Sequence, residues 1–237
     1  MTTVSATENG RVRHVIKKEH MRILAVTPIV VSEEELVRRQ TRYNLLAPKG
    51  MEVVLENLKT SEKTLNALAT DANLIASERA TEYHFQSADP ERYDAFMPDC
   101  VLDPAINTHQ ERPVIGILES TVHFLASHYL SMAAIARNDV IANSMSQRVA
   151  GYLENAQRGS FGGTSTLDLT FDDIADTSKW NDRVERVVSS MTVDAVINGC
   201  SAVKARRRSH GPALVDPTKL ALEYANMRNQ ISNRWEC

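Results

Sequence analysis

The chain is predicted to fold as α/β, in two similar lobes of parallel sheet, on three observations. Strand-sized apolar runs alternate with helical patterns from residue 21 to residue 232, the order that builds parallel sheets with right-handed crossovers. The second half repeats the order of the first. Two stretches also share one frame, Tyr93-Asp94-Ala95-Phe96-Met97-Pro98-Asp99-Cys100 and Val193-Asp194-Ala195-Val196-Ile197-Asn198-Gly199-Cys200. Each reads x-Asp-Ala, two apolar residues, two further positions, then Cys. A repeat of this kind marks related half-domains, here 21–128 and 129–237 behind a polar, mobile extension, 1–20. A C-terminal helix of one lobe can pack on the other.

The elements follow in order. Arg22 to Thr27, closed by Pro28, reads as a buried parallel strand and its loop. Ser32 with Glu33, Glu34 and Glu35 behind it is a capped helix start, and the helix runs to Leu46, before Pro48. Met51–Leu55 is a strand. Ser61–Glu82 reads as helix, with Leu65, Leu68, Ala72 and Ile75 at helical spacing. A turn at Asp89–Arg92 leads into the strand Ala95–Met97. Asp103-Pro104 opens a short helix, Pro113–Leu118 is a strand and Glu119–His128 a helix. In the second half, Tyr129–Ala136 is a strand and Asp139–Leu153 a helix. Gly159-Ser160-Phe161-Gly162-Gly163-Thr164 reads as a loop, either an ordinary turn or a lid. Thr166–Thr170 is a short strand, and Thr177–Met191 a helix capped by Ser178. Ala195–Ile197 and Leu214-Val215 are strands, and Asp216-Pro217 opens a helix to Ser232.

Composition narrows the class. A chain of 237 residues buries a substantial core, and 43% apolar with 24% charged residues is ordinary for a soluble protein. A net charge of −3 gives no field that favours nucleic acid or an anionic membrane. No apolar run approaches a membrane span, and residues 1–20 lack the apolar core of a secretion signal. Three cysteines without CxxC or metal-ligand spacing point to free thiols in a reduced, cytoplasmic compartment. Cys237, the last residue, reads as an incidental exposed thiol. His109, His123 and His210 show no zinc spacing, and no nucleotide fingerprint or nucleophile elbow is present. No metal or cofactor is expected. The expected partner is a small-molecule substrate, and the expected assembly a homo-oligomer.

The chemistry rests on Cys100 and Cys200. A free cysteine is most often a buried small hydrophobe, but two at matched strand ends suggest a pair. Ligands in such sheets bind beyond the carboxyl ends of the strands, where both thiols fall. Two thiols suit proton exchange at a carbon next to a carbonyl, one thiolate removing the proton and the other thiol returning one to the opposite face. A thiol of resting pKa about 8.5 must come closer to ambient pH to serve as base. The residues after each cysteine suit a nest of N–H groups, which is expected to lower the thiol pKa and stabilise an enolate.

These pieces resemble the aspartate/glutamate/hydantoin racemase superfamily, most closely its hydantoin and allantoin racemase branch. The resemblance runs over residues 21–230 through Met21-Arg22-Ile23-Leu24 to Pro28, Asp94-Ala95 through Cys100-Val101-Leu102-Asp103-Pro104, Pro113 through Glu119, Gly199-Cys200, and Val215-Asp216-Pro217. It implies two Rossmann-like lobes with the site in the cleft between them. It also implies cofactor-independent racemisation or epimerisation with Cys100 and Cys200 as the pair. Thr27, Ile29, Val101, Leu102, Asp103, Glu119 and Ser201 are then the substrate-binding candidates. Asp103 reads equally as a cap for the helix opened by Pro104, and Glu119 as a first-turn helix acid. Ser201 can offer a hydroxyl or N–H to an oxyanion.

Three departures bear on specificity. Thr27-Pro28-Ile29-Val30 stands where the family carries Asn-Pro-Asn-Thr, Val101-Leu102 where it carries a small pair, and Ala134-Ile135 near its Thr-Thr. Each removes polar groups or adds apolar bulk, so a hydantoin-like or otherwise less polar substrate is expected. Rivals on this scaffold are decarboxylation, cis–trans isomerisation, Cys–His hydrolysis and a non-catalytic binding role. Lys204, Arg206, Arg207 and Arg208 form a basic run that reads as solvated surface or as a gate for anionic substrates.

Overall fold

The computed structural model describes residues 3–8, 11–16, 20–59, 65–128, 130–174, 176–204, 206 and 208–235. Its elements are β1 (Thr3–Glu8), β2 (Arg11–Ile16), β3 (Met21–Val26), α1 (Glu33–Leu46), β4 (Met51–Glu56), α2 (Asp71–Gln86), β5 (Ala95–Pro98) and α3 (Ile117–Ser127). There follow β6 (Ser131–Ala136), α4 (Asp139–Ala156), β7 (Ser160–Thr166), α5 (Thr177–Val188), β8 (Ala195–Asn198), β9 (Ala213–Val215) and α6 (Pro217–Trp235). Two parallel sheets result, ordered β4-β3-β5 and β7-β6-β8-β9. An isolated bridge from Phe96 to Val114 supplies the first sheet with the counterpart of β9. The sheets therefore repeat one strand order, and α1, α2 and α3 have α4, α5 and α6 as their equivalents.

The Asp-Ala frame has a structural cause. The Asp94 carboxylate accepts from the N–H of Arg22 at 2.8 Å, while the Asp94 N–H donates to the Arg22 carbonyl at 2.7 Å. In the other sheet Asp194 accepts from the Ser131 N–H at 2.8 Å and donates to the Ser131 carbonyl at 3.0 Å. Each aspartate thus locks β5 or β8 onto the start of the neighbouring β3 or β6 and fixes the register. That register sets which residues leave the carboxyl ends.

The second sheet buries both faces. Met132, Ala134, Ala136, Ala195 and Ile197 join a core shared with β3, β5, α3 and α4, while Ala133, Ile135 and Val196 pack on Trp180, Val184 and Val188 of α5. Alternation along each strand divides the two cores. Helix α3 packs on α4 and α6, and α6 also meets α1. The terminal helices thereby tie the sheets together.

Several expectations are corrected. Inside the expected 1–20 extension, where no strand was expected, β1 and β2 pair antiparallel; Asn-Gly between two runs containing β-branched residues is a hairpin signal in the sequence. The helix expected over 61–82 starts at Asp71, where Thr70 and Asn73 form a reciprocal capping box; part of the expected range, 61–64, lies outside the described residues. Leu65 and Leu68 are buried from a loop, so their spacing reflects core packing. No helix follows Asp103-Pro104, which lies in turns where Asp103 and Ala105 adopt φ of 46° and 65°. Pro113–Leu118 contributes one bridge, since α3 begins at Ile117. The segment expected to be a loop, either a turn or a lid, 159–164, lies mostly in β7. Gly162 and Gly163 coincide with a register shift against β6, and Gly163 has φ of 93°, the bulge role of a strand glycine. The strand expected at 166–170 ends at Thr166, and Asp176 rather than Ser178 caps α5.

Gly199, just before Cys200, is dictated by packing. A Cβ there would run into the carbonyl oxygen of Ile135 and lie 3.2 Å from the Cα of Ala136. Gly199→Ala is expected to destabilise the fold by about 3 kcal/mol or more, because the clash is with backbone. A urea unfolding midpoint equal to that of the parent chain would contradict this.

Candidate active site

Four strand ends build the site. Pro28 and Ile29 follow β3, Asp99 to Leu102 follow β5, Arg137 follows β6, and Gly199 to Ala202 follow β8. Together they line a cavity of about 60 Å³ that both Cys100 and Cys200 face. Arg39, Leu68, Ile141, Phe171 and Ile174 complete the wall.

The sulfurs have matched settings. Cys100 Sγ accepts from the Leu102 N–H at 3.4 Å, and Cys200 has the corresponding bond from Ala202, two residues on. Those donors favour thiolate, as expected of a nest, but burial dominates. The expected lowering is overturned: desolvation pushes the Cys100 thiol up to about 12, aided by Asp99 and Asp103, and the Cys200 thiol is also raised. The charges differ between them. Burial of Cys200, aided by Asp99, is opposed by the Arg39 and Arg137 guanidinium groups. Cys100 sits between carboxylates, with only Arg148 acting the other way.

Arg39 and Asp99 were not among the sequence candidates, yet they organise the site. Arg39 is 4% exposed and donates to Asp99 Oδ2 at 2.9 Å and to Glu35 Oε1 at 2.7 Å. Burial works against its charge, but the two carboxylates outweigh that and hold the guanidinium above its usual pKa. Tyr43 donates its hydroxyl to Asp99 Oδ1 at 2.8 Å. Ser201 donates to the Asp99 carbonyl at 2.9 Å, so the loop after β8 is bonded to the loop after β5. Helix α1 holds the same loop from outside, Arg42 donating to the Ser201 carbonyl at 2.8 Å and Arg38 to the Ala202 carbonyl at 3.0 Å. Arg42 is anchored in turn by both oxygens of Asp216.

Of the substrate-binding candidates, Ile29, Val101, Leu102 and Ser201 line the cavity. Thr27 does not. Its hydroxyl is used inside the first lobe, donating to the Ile29 carbonyl and accepting from the Leu58 N–H. Asp103 and Glu119 also lie off the lining. Asp103 is fully buried and caps α3 from a distant loop, accepting from the Leu118 and Glu119 N–H groups at 3.0 and 2.8 Å and from the Tyr152 hydroxyl at 3.0 Å. It therefore does cap a helix, but α3 rather than one opened by Pro104. Its cap replaces the side chain that Gly116, the N-cap residue, lacks, and a Cβ on Gly116 would sit 2.8 Å from Asp103 Oδ2. Burial raises the Asp103 carboxyl to about 6 against the pull of these donors. Glu119 is a first-turn acid of the same helix.

The basic run is not at this cavity. Lys204 and Arg206 are exposed, Arg207 lies outside the described residues, and Arg208 pairs with Glu185 of α5 at 3.0 Å. Cys237 also lies outside the described residues. No helix among the described residues is long and apolar enough to cross a membrane, and no cluster of three metal-ligating side chains occurs among them.

No protein-family model matches the chain, and no curated protein matches it. Solved structures do. Allantoin racemase from Klebsiella pneumoniae superposes with a TM-score of 0.71 at 14% identity, covering 90% of this chain and 89% of that one. Allantoin racemase from Pseudomonas fluorescens gives 0.69 at 15% identity, covering 90% and 92%. A mutant of arylmalonate decarboxylase in its liganded form gives 0.61 at 12% identity, covering 88% and 92%. The likeness is one of fold: this chain has the two-lobe α/β architecture of those enzymes.

Removing Arg39 leaves Asp99 buried and uncompensated. Arg39→Met is expected to cost about 3–5 kcal/mol, and adding Asp99→Asn to recover part of that. A double-mutant cycle by urea unfolding checks the coupling; strictly additive losses would contradict it.

Proposed function

We propose that this chain is a cofactor-independent racemase or epimerase that exchanges a proton at a carbon α to a carbonyl. The observation that carries the reading is that Cys100 and Cys200, at equivalent strand ends of two repeated sheets, face one cavity. The apolar wall of Ile29, Val101 and Leu102 supports a less polar substrate than the free amino acids.

The charges assign starting roles. Cys200, beside Arg39 and Arg137, is the thiol easier to ionise; Cys100, beside Asp99 and Asp103, rests as the acid. The Cys200 thiolate takes the α-proton, and the C–H electron pair is delocalised onto the carbonyl oxygen as an enolate. Cys100 then delivers its proton to the opposite face as the enolate collapses. The product leaves a thiol at Cys200 and a thiolate at Cys100, poised for the reverse direction. Burial favours neutral thiols at rest, so turnover rises with pH as the first thiolate forms.

Decarboxylation is the second reading, favoured by the fold shared with arylmalonate decarboxylase. It needs only one protonating thiol.

Cys100→Ser and Cys200→Ser are each expected to lower racemisation of a chiral 5-substituted hydantoin or 2-substituted carboxylic acid by at least about a thousandfold, since base and acid are both required. Each is expected to keep slow solvent exchange on one enantiomer. Wild-type racemisation by either variant would sink the two-thiol mechanism. Full carbon dioxide release from a substituted malonate by one variant alone would favour decarboxylation.

A further inference from the structure

Arg137 is a buried cation without an anionic partner among the described residues. It is 7% exposed, follows β6 directly and lines the cavity beside Cys200. Among the described residues its guanidinium makes one hydrogen bond, a long 3.4 Å contact to the Leu68 carbonyl, an oxygen already served by Asn138 at 2.9 Å. Other arginines around the cavity and its supports differ. Arg39 has Asp99 and Glu35, Arg42 has Asp216 and Arg148 has Glu78, all within 2.9 Å. No carboxylate lies within ion-pair distance of Arg137 among the described residues. A buried unpaired charge is costly and persists where something else supplies its partner. The strand repeat adds meaning, because the registers that match Ala95 with Ala195 put Arg137 at the position of Pro28, so the other sheet has no charged counterpart there.

Resting on the racemase reading, we propose that Arg137 is the specificity-determining residue that binds an anionic group of the substrate. The substrate class is then a small carboxylate carrying an apolar substituent, with the carboxylate on the Arg137 guanidinium and the substituent against Ile29, Val101 and Leu102. A guanidinium matches a carboxylate with two parallel N–H donors. The site takes negative charge on one side of Cys200 and apolar bulk on the other, which orients the α-carbon between the thiols.

Iodoacetate and iodoacetamide test this without requiring turnover, since they differ only in carboxylate against amide. Their alkylation rates at Cys200, resolved by peptide mass spectrometry, are compared in the wild type and in Arg137→Gln and Arg137→Lys. The iodoacetate-to-iodoacetamide ratio is expected to fall about tenfold or more in Arg137→Gln, the value of a charge-assisted hydrogen bond, and to be largely kept in Arg137→Lys. If Arg137→Gln slows both reagents equally, the guanidinium serves only the Cys200 thiolate and the proposal is overturned. Thermal unfolding with isobutyrate and isobutyramide gives a second readout. A rise in Tm with the acid alone, lost in Arg137→Gln, supports anion recognition; equal effects of acid and amide overturn it. An anion preference without proton exchange would remove the racemase reading and leave the anion site standing. Proton exchange without the preference would do the reverse.

Discussion

Asp99 is bonded in four directions, and the rest of the site depends on it. Its N–H donates to the Val26 carbonyl at 2.7 Å, its carboxylate receives Arg39 and Tyr43 of α1, and its carbonyl receives Ser201 from the other sheet. Cys100 follows Asp99 in the chain, and Cys200 precedes Ser201. One residue therefore sets where both thiols sit. The Arg39–Asp99 pair adds little net stability over an apolar pair of similar volume, because both charges lose water. What it adds is placement, since the alternatives leave a buried charge without a partner.

The same arrangement makes the two halves electrically unequal. The repeat places thiols at equivalent strand ends with equivalent N–H donors two residues on. Asp99 has its counterpart in Gly199, which is glycine because the Ile135 carbonyl occupies the space of a Cβ. Negative charge thus gathers near Cys100 and positive charge near Cys200. A symmetric scaffold places two thiols on one cavity, and the asymmetric residues make them electrically unequal; under the proposed reading that difference assigns the starting base.

Local chemistry written in consecutive residues was legible in the sequence. The Asp-Ala frame, the Ser32 cap and the strand ends needed only short-range patterns, and they place Cys100 and Cys200 on one cavity. The buried charges were not legible, because Arg39, Asp99 and Arg137 meet only through the fold. A signal existed: Leu36, Arg39, Tyr43 and Leu46 share one helical stripe, and a charge on an apolar stripe implies a buried partner. Glycines misled where a strand bulge at Gly163 resembled a loop, and Asp103 misled because its helix lies at 117 rather than at 104. Thr27 fell out of the site because its hydroxyl completes a loop of its own lobe.

The central claim is the proposed one, that the two thiols lining one cavity around the Asp99 junction act as separate acid and base at one carbon. The most direct measurement follows one enantiomer of a 2-substituted carboxylic acid in D2O, with the configuration and deuterium content of substrate and product resolved early in the reaction. The account predicts that the first product molecules carry solvent deuterium while the recovered substrate enantiomer remains protiated. Deuterium appearing equally early in the recovered substrate would mean that one group serves both faces, and would contradict the account.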